Sequence, residues 1–98
     1  LEKLLINQHK NKRMIAAICA APTILTGLKI IDNTVKVTSH PGSADKFSPD
    51  IYSTESVVVS NNIITSRGAG TAIEFSLKIV EILSGKAAAE KIAEGIVY

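Results

Sequence analysis

A chain of 98 residues is sized for one domain rather than two. Lys plus Arg number 11 against 9 Asp plus Glu, and a net charge of +2 gives no reason to expect nucleic acid or an anionic membrane as partner. With 46% apolar and 20% charged residues, the composition is that of a globular chain and excludes a disordered one.

The chain opens inside a helical pattern, with Leu1, Leu4 and Leu5 on one face. No N-cap residue precedes them, so the helix is expected to begin upstream of this sequence. No signal-peptide pattern is present, and a reducing, cytoplasmic setting is the expectation. His9 to Arg13 (HKNKR) reads as a solvated polar turn, and His9 as a solvated side chain. Met14 to Ile18 follows as an apolar run without alternation, expected to be the buried central strand of a parallel sheet. Even extended to Ala21, the run is eight residues long, far short of a membrane span.

Cys19-Ala20-Ala21 breaks the strand, and Pro22 suits the first turn of a short helix over Thr23 to Leu28. Asp32-Asn33 is a turn. Val35 to Thr38 alternates and predicts a strand ending at Ser39-His40-Pro41, followed by a loop from Gly42 to Tyr52. Ser56 to Ser60 and Ile63 to Ser66 read as a hairpin around Asn61-Asn62, since Asn tolerates positive φ. Arg67 to Gly70 forms a tight loop. Thr71 and Glu74 match a capping box for a helix over Ala72 to Ser84. That helix carries Ile73, Leu77 and Val80 on one stripe, Phe75, Ile79 and Ile82 on another, and Glu74 and Lys78 at a favourable spacing. Gly85 ends it. Lys86 to Glu94 is a shorter helix stopped by Gly95, and Ile96 to Tyr98 is an edge strand or a docked tail. This order of elements is that of an α/β layered fold.

Cys19 is the first chemical candidate. A lone cysteine in an apolar run is ordinarily a small core side chain, and one cysteine excludes an intramolecular disulfide. Its position points elsewhere, because it stands where a strand turns sharply into a helix. Ala17 and Ala21 flank it two residues away, and small residues there suit a nucleophile elbow. A helix N-terminus favours the thiolate, and the Ala20 N–H would point where an oxyanion develops. His40 is the second candidate, at the end of a strand expected in the same sheet, so Cys19 and His40 would meet on one rim. A structural histidine is the plain alternative. Arg67 with Gly68 and Gly70 could form an anion-binding rim, or simply a turn holding the next helix. It is not a dinucleotide fingerprint, because Ile73 stands where a third glycine is needed. One cysteine and two distant histidines offer no metal site.

Three segments together resemble the ThiJ/PfpI superfamily. They are Ala16 to Thr23 (AAICAAPT), Val37 to Pro41 (VTSHP) and Ile64 to Thr71 (ITSRGAGT). The nearest branch is the DJ-one branch with its bacterial relatives, and Phe75 to Tyr98 is similar to it too. The resemblance implies a flavodoxin-like three-layer α/β sandwich with a mainly parallel sheet, of which residues 1–98 are the C-terminal half. It implies a homodimer, Cys19 on the elbow, Ala20 supplying an oxyanion N–H, His40 beside them, and Pro41, Arg67, Gly68 and Ala69 on the pocket rim. The acid that partners the cysteine, and a second oxyanion N–H, would come from the N-terminal half. Ala21 stands where the family often has Gly, and Ala69 where Pro is common. Ala20 occupies the place where PfpI-type peptidases carry His, which argues against a peptidase. The expected activity is a cofactor-independent glyoxalase or deglycase acting on small 2-oxoaldehydes through Cys19. The alternative is an oxidative-stress sensor or redox-regulated chaperone that uses oxidation of the same thiol.

Overall fold

The chain forms four α-helices and three strands, and the computed structural model describes all residues from Leu1 to Tyr98. Helix α1 (Glu2–Lys10) leads into strand β1 (Ile15–Ile18), and helix α2 (Pro22–Gly27) follows at once. Pro22 sits in the first turn of α2, where its missing N–H costs no hydrogen bond. Strands β2 (Val57–Ser60) and β3 (Ile63–Ser66) form the hairpin, and helices α3 (Ala72–Ser84) and α4 (Lys86–Gly95) complete the chain.

The sheet is small and mixed, in the order β1-β3-β2. β1 runs parallel to β3, with Ile15 opposite Ile63 and Ile18 opposite Ser66. β2 runs antiparallel to β3, with Ser60 opposite Ile63 across the Asn61-Asn62 turn. Of the two asparagines only Asn61 takes a positive φ, at 54°. The central strand is therefore β3, not Met14 to Ile18. All four β3 residues are buried, whereas β1 alternates, with Ile15 and Ala17 buried and Ala16 exposed. β1 has a strand neighbour on one side only, and its apolar run is covered on one face.

Ile15, Ala17 and Ile63 pack on Leu25 of α2 and on Ile30, Ile31, Val35, Val37, Phe47 and Ile51, which together form the core. Helix α3 contacts all three strands. Val35 and Val37 are buried and Lys36 is exposed, so the expected alternation is present. A strand is not. Val37 makes a single parallel bridge to Tyr52. Side-chain oxygens capture the flanking N–H groups. On the edge opposite that bridge, Lys36 N–H donates to Ser60 Oγ at 3.0 Å and Thr38 N–H to Thr65 Oγ1 at 2.9 Å, so no backbone ladder forms with β2 or β3 there. The loop beyond His40 contains a 3-10 helix, Pro41–Lys46.

Two local expectations are corrected. The Thr71 side chain does not cap α3. It turns back into the preceding loop, accepting the Arg67 and Gly68 N–H groups at 3.2 and 3.1 Å. Lys78 pairs with Glu81 at 2.9 Å instead of Glu74. Of the two readings of Ile96 to Tyr98, the docked tail is the one seen: Tyr98 N–H returns to the Ala93 carbonyl at 2.9 Å, folding the tail onto α4. Gly85, with φ of +96°, makes the bend between α3 and α4. No helix is long and apolar enough to cross a membrane.

Candidate functional site

The site grows from the C-terminal end of β1. Cys19 leaves the strand with φ of +66°, the left-handed region that L side chains enter at a cost of about 1–2 kcal/mol. Two backbone bonds hold it there. Cys19 N–H donates to the Ser66 carbonyl at 3.1 Å, and the Cys19 carbonyl accepts from His40 N–H at 2.7 Å. The thiol is exposed. The next residue, Ala20, is exposed, and its N–H donates to no acceptor within the chain, while its carbonyl is taken by Thr23 N–H and Oγ1. An elbow with an exposed thiol and a free following N–H is suited to attack on a carbonyl.

His40 reaches Cys19 through the backbone, not as the end of a sheet strand. Its Nδ1 accepts the Gly42 N–H at 3.0 Å, so the neutral ring carries its proton on Nε2. The imidazole lies against two glycines. A Cβ on Gly42 would stand 3.1 Å from Nδ1, tighter than ordinary contact, and one on Gly68 would stand 3.9 Å from Cδ2. Gly42 thus gives the ring its place, and Gly68 joins Pro41 beside it.

Arg67 does not present a free guanidinium. Nε donates to the Ser39 carbonyl at 3.1 Å, and the two terminal nitrogens reach Tyr52 Oη at 3.3 Å and the Thr54 carbonyl at 3.4 Å. The guanidinium carbon lies 6.0 Å from the Tyr52 ring centroid. Tyr52 Oη donates to the Ser39 carbonyl at 3.1 Å and pairs with Ser39 Oγ at 3.3 Å. Burial pushes the Tyr52 phenol up, but its bonds to Ser39 and Arg67 and the guanidinium charge outweigh this and hold it below its ordinary value. Ala69 is exposed on the following turn. None of the three surface cavities is lined by Cys19, His40, Pro41, Arg67, Gly68 or Ala69. No three His, Cys, Asp or Glu side chains gather into a metal-binding group.

Sequence reasoning missed Ser39, Tyr52 and Thr71 as builders of this site. Tyr52 offered a signal: it is one of only four aromatic residues in the chain. Ser39 and Thr71 offered none, because their roles depend on where the loops meet.

A model of the DJ-1/PfpI family matches residues 1–82. The chain belongs to the DJ-1/PfpI family. Its similarities lie in the DJ-1 branch. It is 45% identical over 85 residues to the glutathione-independent glyoxalase DJR-1.2 of Caenorhabditis elegans, covering 85% of this chain and 45% of that protein. It is 42% identical over 95 residues to the Parkinson disease protein 7 homolog of Danio rerio, covering 94% of this chain and 50% of that one. The oxidized DJ-1 structure of Toxoplasma gondii superposes with a TM-score of 0.94 at 37% identity, covering 100% of this chain and 53% of that one. The chain spans about half the length of these DJ-1 relatives.

Proposed function

We propose that residues 1–98 are the C-terminal half of a DJ-1-type domain whose complete form is a cysteine-dependent glyoxalase. In this reading the remaining half extends the sheet past β1 into a mainly parallel, flavodoxin-like three-layer sandwich, supplies the acid partner of Cys19, and the whole forms a homodimer. The supporting observation is the exposed Cys19 thiol on a left-handed elbow, hydrogen-bonded through its carbonyl to His40, in a chain similar to a protein named a glyoxalase.

The substrate is a small 2-oxoaldehyde such as methylglyoxal. The Cys19 thiolate adds to the aldehyde carbon, and the carbonyl oxygen takes up a proton to give a hemithioacetal, with Ala20 N–H facing the developing oxyanion. The proton on that carbon is then removed and returned to the adjacent carbonyl carbon through an enediol, leaving a thioester of the hydroxy acid. His40 shuttles the proton or orients the substrate, and Pro41, Arg67, Gly68 and Ala69 shape the rim. Water hydrolyses the thioester and releases the thiol, so the sum is aldehyde plus water to hydroxy acid without a redox cofactor. The same attack on glycated adducts would register as deglycase activity. The full-length protein should convert methylglyoxal to lactate, and Cys19→Ala should remove that activity; a fully active variant sinks the reading. A second reading, a redox sensor, draws on the exposed thiol and on the similarity to a structure described as oxidized. It is favoured if lactate is absent while low peroxide adds two oxygens at Cys19 by intact mass.

A further inference from the structure

We propose that Arg67 is a positioning residue that sets Cys19 and His40 together through one shared peptide group, the one joining Ser39 to His40. The proposal rests on Cys19 and His40 being the reactive pair.

That peptide group is held on both sides. Its carbonyl oxygen, on Ser39, accepts from Arg67 Nε and Tyr52 Oη, both at 3.1 Å. Its N–H, on His40, donates to the Cys19 carbonyl at 2.7 Å. This last distance is at the short end for an amide donor. Drawing charge toward that carbonyl oxygen makes the N–H a stronger donor through peptide resonance. Ser39 is fully buried, so little solvent screens the guanidinium at that oxygen.

Arg67 also adjoins the second bond that fixes the elbow. Ser66, which precedes it, accepts the Cys19 N–H at 3.1 Å. The Arg67 backbone is fixed in turn by Thr71 Oγ1. Both backbone groups of Cys19 are thus held by bonds that converge on the 66–67 segment. The side chain reaches three acceptors on two separate stretches, Ser39 on one and Tyr52 and Thr54 on the other. A forked guanidinium can do this and a single ammonium cannot.

The test compares full-length wild type, Tyr52→Phe and Arg67→Lys. The first variant removes one hydroxyl, and the second keeps the charge but loses the fork. Cys19 alkylation by iodoacetamide is followed across pH by mass spectrometry of the Cys19 peptide, and folding is checked by thermal melt. The expected result for Arg67→Lys is an alkylation rate about tenfold lower with a displaced pH midpoint, Tyr52→Phe lying between it and wild type. Methylglyoxal turnover should then fall in kcat, with KM within about twofold of wild type. If the folded variants alkylate at the wild-type rate and pH midpoint, Arg67 is only a brace for the loop and the proposal is overturned. Should Arg67→Lys fail to fold, Tyr52→Phe decides alone. Should wild type lack turnover, the glyoxalase reading fails, while the alkylation profiles still decide the positioning.

Discussion

Cys19 stands in the left-handed region together with four other non-glycine residues, Lys12, Lys29, Asn61 and Val97. Those four belong to surface turns or the tail, whereas Cys19 joins a sheet strand to a helix. The strain persists because the Ser66 carbonyl and His40 N–H bind both sides of the residue. A glycine would relieve it, less what glycine loses through the greater freedom of the unfolded chain. Cys19→Gly in the full-length protein should therefore be more stable than Cys19→Ala by about 1 kcal/mol. Both variants lack the thiol, so chemical denaturation isolates the backbone effect. A Cys19→Gly variant less stable than Cys19→Ala by about 0.5–1 kcal/mol, the ordinary glycine penalty, would show that the elbow stores no strain. The strand-to-helix break and the small flanking residues made Cys19 legible in the sequence, and VTSHP did the same for His40. The hydrogen bond joining them was not legible, since it spans 21 positions and depends on a segment that never enters the sheet.

At the scale of elements, periodicity located β1, the hairpin and both C-terminal helices within a residue or so of their observed bounds. What it missed was competition for hydrogen bonds. The S/T-x-x-E pattern at Thr71 to Glu74 is the signature of a capping box, yet Thr71 Oγ1 serves the loop before it. It accepts the Arg67 and Gly68 N–H groups and pairs with Ser66 Oγ at 2.6 Å. Ser66 is fully buried and its hydroxyl also meets the Ser56 carbonyl at 2.6 Å, so Thr71 belongs to a network tying β3 to the loop. Thr71→Ala should then cost about 1–2 kcal/mol, because it strands loop donors and a buried hydroxyl partner. Glu74→Ala should cost less than about 0.5 kcal/mol, because Glu74 is exposed and its reach-back bond is not made. Paired denaturant melts of the full-length protein check this, and similar losses for the two variants would restore the capping box. The same competition explains Val35 to Thr38, where the alternation was right but Ser60 and Thr65 side chains took the N–H groups a ladder needs.

For the whole molecule, the decisive quantity is how much apolar surface the 98 residues leave uncovered. Only 17 residues are buried, and α1, α3 and α4 contain none of them. Ile73, Ile92 and Ile96 border a shallow apolar recess of about 210 Å³ and are themselves exposed. β1 pairs on one side only, so its other edge presents unpaired backbone groups beside the exposed Ala16. Helices of this amphipathic kind draw most of their stability from the surface they bury against partners, and here three of four bury too little. The polypeptide of residues 1–98, prepared alone, should therefore bind a hydrophobic dye such as ANS and lack a sharp monomeric unfolding transition. Co-expression with the rest of the domain should restore a cooperative melt and abolish dye binding, as mass action requires of a partner that binds only the folded form. A sharp, reversible transition of the isolated 98 residues, monomeric by sedimentation, would mean that the core around Ile15, Val37 and Ile63 is sufficient by itself, and that the exposed helix faces contribute to assembly rather than to folding.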